Sequence, residues 1–249
     1  MVFPLRMIFH SPPLVFIGPA LFILFLLAAH GGAILSRRFT ASGDAYPSGL
    51  VIGAATSLLG LLVAFTFSIA LGRYEVRRDL IVREANAVRN VVHRAEMVSS
   101  PLGEVIVAQT RDYLTTRIVL EGVDPSATPP LSNTLSRQEK LWTTAAALPA
   151  INAPLLDALT ELFAAADTRE AARVEQIPKL VLALVILMSA ATSAMLGFAI
   201  APVQRVMRFP ILAYLAVLAV ALTLIFDLDR PERGGVRVSQ GPFLQLLEQ

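Results

Sequence analysis

SGLVIGAATSLLGLLVAFTFSIALGRYEVRRD, residues 48–79, decides the fold, because an uncharged apolar segment runs directly into an arginine-rich one. Residues 48–71 contain no charged residue and no proline. Their number is close to the roughly 20 apolar residues that an α-helix needs to cross a bilayer. The stretch therefore predicts a transmembrane helix.

One side of this helix is nearly bare of side chains. Gly60, Ala64, Ser68 and Gly72 are spaced by four residues, which places them on the same side. Small residues let a second helix backbone approach closely inside a membrane. No proline follows before residue 101, so we expect the helix to continue beyond the bilayer to about residue 99.

The composition is typical of a membrane protein. Of the 249 residues, 55% are hydrophobic and 16% are charged, a balance too apolar for an ordinary soluble domain. Residues 73–177 carry 12 Lys or Arg against 14 Asp or Glu, so the aqueous part lacks the basic surface that nucleic-acid binding requires. Without cysteine, the chain has no disulfide, thiol nucleophile or thiolate metal site.

Three further apolar runs, at about 13–35, 180–198 and 209–226, predict three more crossings besides 48–71. The first run could instead be a cleaved signal peptide, because LLAAHGGA supplies small residues near its end. We retain it as a crossing, since the run exceeds a signal core and cleavage would leave an odd number of spans. The predicted domains are membrane helices in 1–71 and 178–226, a bundle in 72–177 and a tail in 227–249.

The segment between the second and third crossings predicts a helical bundle. Apolar residues on the continuation of the second helix repeat at helical spacing. They are Ile81, Ala85, Val88, Val92 and Ala95. Further helices are predicted at about 102–121, 135–149 and 155–176, with a surface loop rich in proline and serine at 122–134. We expect the apolar cluster at 243–247 to dock on this bundle.

Basic residues predict the orientation. Four crossings place both termini on the side of the bundle, where twelve basic residues lie near the membrane, against four on the other side. The bundle and both termini are therefore predicted to be cytoplasmic. The twelve are Arg6, Arg73, Arg77, Arg78, Arg83, Arg89, Arg169, Arg173, Lys179, Arg230, Arg233 and Arg237. The four are Arg37, Arg38, Arg205 and Arg208.

Residues that could carry catalysis are scarce. His10, His30 and His93 lack metal-ligand spacing, and no phosphate loop or nucleophile motif occurs, so we predict no enzyme and no cofactor. His30 is interpreted as a packing or interfacial residue, although an ionisable group inside a membrane also suggests function. Asp227 and Asp229 end the fourth crossing and oppose its helix dipole, so we expect them to pair with an arginine. Binding of a divalent cation is the alternative, although Ca²⁺ takes about 6–8 oxygen ligands.

Arg73, Arg77 and Arg78 follow the second crossing and leave two interpretations open. They could fix the cytoplasmic end of the helix, or copies from several subunits could form rings that concentrate small anions at a pore mouth. The crossing itself has no acidic residue, and its phenylalanines could narrow a pore by dewetting. The pore-lining candidates are Thr56, Ser57, Gly60, Ala64, Phe65, Phe67 and Ser68.

Three segments carry a resemblance to the bestrophin-like domain family of bacterial membrane proteins. They are LLGLLVAFTFSIALGRYEVRRDLIVREANAV at 58–88, IPKLVLALVILMSAATSAMLGFA at 177–199 and DLDRPERGGVRVSQGPF at 227–243. The resemblance implies similarity to bestrophins, which are pentameric anion channels with four membrane helices per subunit, cytoplasmic termini and a second membrane helix that lines the neck. It also implies a bacterial inner (plasma) membrane. The chain departs from bestrophins in lacking their acidic calcium clasp, for which DLDRPE is a thin substitute, and their proline-spaced neck aromatics.

Together these features predict an all-α membrane protein with four transmembrane helices and a helical cytoplasmic bundle. It would form a homo-oligomer in lipid and pass small anions such as chloride. The alternative is a non-conducting scaffold or sensor whose bundle binds a partner, since no selectivity filter is recognisable. An enzyme working at the membrane is third, with Asp227 and Asp229 as its only metal site.

Overall fold

The computed structural model describes residues 16–39, 49–118, 131–148, 152–200, 208–230, 235–236 and 238–248. These residues form eight α-helices and no strand. The helices are α1 Ile17–Phe39, α2 Gly49–Glu96, α3 Pro101–Arg117, α4 Leu131–Ala146, α5 Ala153–Val174, α6 Lys179–Ile200, α7 Arg208–Asp229 and α8 Gly241–Leu247.

Four segments are long and apolar enough to cross a membrane: Ile17–Arg38, Gly49–Glu96, Ala153–Ala199 and Phe209–Asp229. The third segment includes the charged helix α5, but the chain leaves helical geometry at 175–178 and its apolar part is α6. The prediction of an all-helical chain with four membrane helices is therefore confirmed by length and composition. The unbroken continuation of the second helix is confirmed as well, since α2 is 48 residues long.

One compact unit comprises Met1–Gly72 and Gln176–Val236. In this unit α1 packs on α6 and α7. The buried residues of α1 recur every three or four positions, as expected for one side of a helix. They are Leu21, Phe25, Ala29, Gly32 and Ser36.

Glycines set how closely α1 and α6 approach. A Cβ atom on Gly197 would lie 1.8 Å from the carbonyl oxygen of Ala29, and one on Gly32 would lie 1.9 Å from that of Ala194. Only a residue without a side chain fits at either position. Small residues drive helix association in membranes by allowing such contact between backbones, so this crossing is a main packing contact of the unit.

The second unit comprises Arg73–Glu175 and Arg237–Gln249. Its core is formed by one apolar side of each of its helices. The largest side chains in this core with less than 2% exposure are Tyr113, Ile106, Leu114, Leu141, Leu155, Leu159, Leu162 and Phe243. Phe243 belongs to α8, so the C-terminal apolar cluster docks on this core as predicted.

Three boundaries and positions differ from the sequence prediction. Helix α3 ends at Arg117, where Ile118 is extended, rather than at residue 121. Helix α4 begins at Leu131 rather than at 135, because its buried side already includes Thr134. On α2, Val91 is fully buried and Val92 is only half-buried.

Some predicted features fall outside the described residues. They are the start of the first crossing at 13–15, the end of the second bundle helix at 119–121, most of the predicted loop at 122–130, the turn at 201–207, and tail residues 231–234 and 237.

Replacing Gly197 by alanine should destabilise the protein, because the added Cβ overlaps the Ala29 carbonyl and forces α1 and α6 apart. Overpacking of this kind costs about 1–3 kcal/mol. Thermal unfolding of the detergent-solubilised protein measures the loss. Gly72→Ala is the matched control, since a Cβ there meets nothing within 4 Å. Equal melting temperatures for the two variants would contradict the assigned crossing.

Candidate functional site

Helix α2 is the least buried of the four membrane segments. Only 11% of its most apolar 18-residue window is buried within the chain, against 33% for the third and fourth segments. Its buried residues in this part are Leu59, Thr66 and Ala70. At about 100° per residue, these three lie within about 40° of one another, so a single narrow stripe attaches this part of α2 to its own chain.

The predicted small-residue face of α2 lies beside that stripe and is exposed. Gly60, Ala64 and Ser68 are exposed, Gly72 is half-buried, and a Cβ on Gly60 would meet nothing within 4 Å. Ser57, on the same side of the helix, is exposed as well. Half-buried Thr56 borders this face, and its hydroxyl donates to the carbonyl of Ile52 at 2.7 Å. The face therefore presents small and hydroxyl groups that the described part of the chain leaves uncovered.

The two candidate phenylalanines do not share a side of α2. They are two residues apart, which separates them by about 200° on a helix. Phe67 is half-buried and borders the small-residue face, whereas Phe65 is 62% exposed among the bulky residues Leu58 and Ile69. Of the two, Phe67 is the one that lies beside the small-residue face.

The three candidate arginines have different surroundings. Arg77 is buried and donates from Nε to the Ala172 carbonyl at 3.3 Å and from Nη2 to the Glu175 carbonyl at 2.8 Å. These carbonyls end α5, where the helix dipole favours a cation. Arg73 Nη1 lies 3.9 Å from Glu175 Oε2. Arg78 is exposed, so it is the member of this trio whose charge faces outward.

Asp227 and Asp229 accept hydrogen bonds from the backbone. Asp227 takes the amides of Gly235 at 2.6 Å and Val236 at 2.9 Å, and Asp229 takes that of Ile177 at 2.8 Å. Both carboxylates are largely buried. Among the described residues, no group of three or more His, Asp or Glu could hold a metal ion. Within the chain, Asp227 therefore holds residues 235–236 against the end of α7, and Asp229 holds Ile177 there.

A buried ionic cluster lies in the second unit. Glu84 of α2 is fully buried and receives Arg117 Nε at 2.7 Å and Arg169 Nη1 at 2.9 Å. The Tyr113 hydroxyl donates to the same carboxylate at 2.8 Å. The Arg169 guanidinium carbon also lies 5.0 Å from the ring centroid of Phe243, at cation–π distance. Glu84 thus joins α2, α3 and α5, and Arg169 adds α8.

Burial and charge oppose each other in this cluster. Burial alone would raise the pKa of Glu84, but the hydrogen bonds and charges of Arg117 and Arg169 outweigh it and hold that pKa below its ordinary value of 4.5. Burial, reinforced by the Glu84 charge, raises the pKa of Tyr113. Burial also lowers the pKa of Arg169 despite the attraction of Glu84.

This cluster is not apparent from the sequence. Glu84 is separated from Arg117 by 33 residues and from Arg169 by 85. One sequence feature does indicate that Glu84 is buried, because it is a charged residue directly beside Ala85 of the apolar stripe. A carboxylate at such a position is almost never buried without a partner, so it predicts a buried pair without identifying the cation.

Comparison with known proteins places this arrangement in a family. The family model described as Bestrophin-like domain matches residues 23–243. A crystal structure of a bacterial bestrophin homolog from Klebsiella pneumoniae superposes with a TM-score of 0.66 at 14% identity, covering 91% of this chain and 95% of that one. A tryptophan-to-alanine variant of that homolog gives a TM-score of 0.68 at 16% identity, covering 96% of each chain. No curated protein sequence matches.

Replacing Glu84 by glutamine should destabilise the protein by about 3–5 kcal/mol, because two buried guanidinium groups lose their counter-charge. Chemical unfolding in detergent measures the change. Glu104→Gln, at an exposed position of α3, is the control and should change the unfolding free energy by less than about 0.5 kcal/mol. A similar loss in both variants would show that the cluster does not stabilise the bundle.

The same cluster sets a pH dependence. Because the folded pKa of Glu84 lies below the unfolded value of about 4.5, its stabilisation is present above that pH and is lost as the pH falls through the folded value. We expect wild type to lose stability below about pH 4.5 more steeply than Glu84→Gln. Parallel melting curves from pH 3 to 7 would argue against this assignment.

Proposed function

The chain belongs to the Bestrophin-like domain family, and on that premise we propose that it is the subunit of a homo-oligomeric ion channel that passes small anions such as chloride. By the same resemblance the oligomer is a pentamer in the bacterial plasma membrane, with its termini and bundle in the cytoplasm. Copies of α2 surround the conducting axis.

The observation that carries the proposal is the exposed small-residue face of α2. Hydroxyl groups are poor groups to present to lipid chains, because lipid offers them no hydrogen bonds. A helix surface bare of side chains instead allows close approach of another helix. Copies of α2 around an axis would place Ser57, Gly60, Ala64 and Ser68 against water and neighbouring helices instead. A helix whose small residues were all covered by its own chain would offer no such path.

Preference for anions rests on one arginine. Arg78 follows Gly60 by 18 residues, which is five helical turns, so both lie on the same side of α2. Arg78 is exposed, and residues 48–71 contain no acidic side chain that would attract cations. A ring of Arg78 side chains would raise the local concentration of anions at one end of the path.

Phe67 supplies a constriction on the same path. It borders the small-residue face, about 20° round the helix from Gly60 and about 60° from Ala64. A ring of phenylalanines narrows a pore and gates it by expelling water. Phe65 lies outside this arc and takes no part.

Single cysteines test which side of α2 faces the ions, because the chain has no cysteine of its own. We expect a charged, membrane-impermeant thiol reagent to block most of the current of Ala64→Cys in planar bilayers. Ile69→Cys, about 140° away round the helix on the exposed bulky side, should keep its current. Equal block of both variants would contradict the proposed pore side. No chloride current from intact wild-type oligomers would leave the scaffold or sensor as the function.

Removing the charge of Arg78 tests anion selectivity. Arg78→Gln should lower the chloride-to-potassium permeability ratio by roughly fivefold, the equivalent of ~1 kcal/mol, which is the interaction of unit charges 4 Å apart in water. Reversal potentials in a salt gradient measure the ratio. Arg83→Gln is the control, because Arg83 is also exposed but lies about 140° away round the helix. An unchanged ratio in Arg78→Gln would remove Arg78 from the pore mouth.

A further inference from the structure

His30 lies on the outward side of α1. The residues of α1 that pack within the chain occupy one side of the helix, and His30 lies opposite them at about 100° per residue. Its neighbours on the exposed side include Ile23, Leu27 and Ile34. His30 is the only ionisable residue in 17–36, so a single polar group interrupts an otherwise apolar outer surface.

His30 also lies well inside the hydrocarbon layer. It precedes Arg37 by seven residues, which places it about 10 Å below that end of the crossing. A polar side chain at such depth costs free energy unless it is hydrogen-bonded. Within the described chain the imidazole makes no hydrogen bond, and lipid chains offer none.

Ser57 of α2 is the matching group on the surface of the same chain. It is exposed, and its hydroxyl makes no hydrogen bond to another described residue. Ser57 follows Gly49 by eight residues, about 12 Å into the second crossing. Since successive crossings run in opposite directions, His30 and Ser57 lie at nearly the same depth below the same membrane surface.

We propose that His30 of one subunit hydrogen-bonds Ser57 of the neighbouring subunit, so that the outer side of α1 packs against α2 of the next copy inside the membrane. Imidazole and hydroxyl can each donate and accept, so the pair satisfies both groups. Gly31, where a Cβ would meet nothing within 4 Å, leaves room for the approach. The proposal rests on the homo-oligomer proposed above and assigns one of its interfaces.

The contact joins the outer side of α1 in one subunit to α2 in the next, so each subunit uses two different surfaces. An interface between unlike patches continues from copy to copy, and it closes into a ring when the rotation between copies divides a full turn. A second copy covers this surface because the imidazole, exposed on its own chain but lying within the membrane, needs a partner at its own depth, and Ser57 of another copy supplies one. Ser57 lies about 10 Å along α2 from Ala64 and only about 20° from it round the helix, so the neighbour covers the end of the small-residue face at Ser57 and the path runs past Ala64 and Phe67.

Disulfide cross-linking of the double variant His30→Cys/Ser57→Cys tests the pairing in membranes, with copper phenanthroline as oxidant. We expect a ladder of covalent dimers, trimers and higher species that ends at the full ring, because each subunit carries both halves of the contact. Either single variant should give no ladder. Ile23→Cys/Ser57→Cys is the control, since Ile23 lies on the same side of α1 but about 10 Å away along its axis, and it should stay monomeric on the gel.

The results test the His30–Ser57 contact independently of the proposed channel function. No ladder from an oligomer that native mass spectrometry finds intact overturns the contact, as does an equal ladder from the Ile23 control. A ladder together with absent chloride current keeps the contact and removes the channel function. Cross-linking of His30→Cys to a different protein alone would assign this surface to that protein and also overturn the proposal.

A non-covalent measurement avoids reliance on the cysteine variants. His30→Leu keeps the apolar surface and removes the polar group, so we expect the oligomer to dissociate in detergent about 3- to 30-fold more readily, the fold change given by one interhelical hydrogen bond in a membrane. Leu27→Ala at a neighbouring exposed position is the control for lost area. An oligomer of unchanged or greater stability in His30→Leu contradicts the pairing.

Discussion

A buried stripe on α2 constrains each unit of the structure. Leu59, Thr66 and Ala70 are buried in the first unit, and Ile81, Glu84, Val88, Val91 and Ala95 are buried in the second. Within each unit these residues lie on one side of a helix with 3.6 residues per turn. The packing of each unit therefore fixes the rotation of the part of α2 that it contains. The other sides of the helix, with Gly60 on one and Phe65 on another, are left for lipid, water or further copies.

Glu84 gives this stripe its register in the bundle. Apolar residues would bury a stripe equally well, and well-packed apolar substitutes are often as stable as a buried ion pair. What Glu84 adds is direction, because Arg117 and Arg169 meet its two oxygens from different helices at 2.7 and 2.9 Å. A helix rotated by one residue could not make both contacts. The cluster thus favours one rotation of α2 among several that apolar packing alone would accept.

The membrane helices could be predicted from the sequence because hydropathy is a local property, readable from each run of about 20 residues. The stripe position was correct to one residue, with Val91 buried rather than Val92, because no heptad or 3.6-residue count fixes rotation that finely. Partners could not be predicted. The burial of Arg77 depends on carbonyls almost a hundred residues away, and nothing near Arg77 distinguishes it from exposed Arg78.

Two series of small residues at four-residue spacing, one in α6 and one in α2, show that such a pattern alone does not identify what the helix packs against. In α6, Ser189, Ser193 and Gly197 are buried, and Gly197 lies against the backbone of α1. In α2, Gly60 belongs to a series of the same spacing, and a Cβ atom added to it would meet nothing within 4 Å. The series in α6 forms a contact between helices of the same chain. The series in α2 forms no such contact at Gly60 and is free to pack against another molecule. Small residues that cover no neighbour contribute no packing to a lone subunit, so those of α2 can contribute packing only in an assembly such as the proposed oligomer.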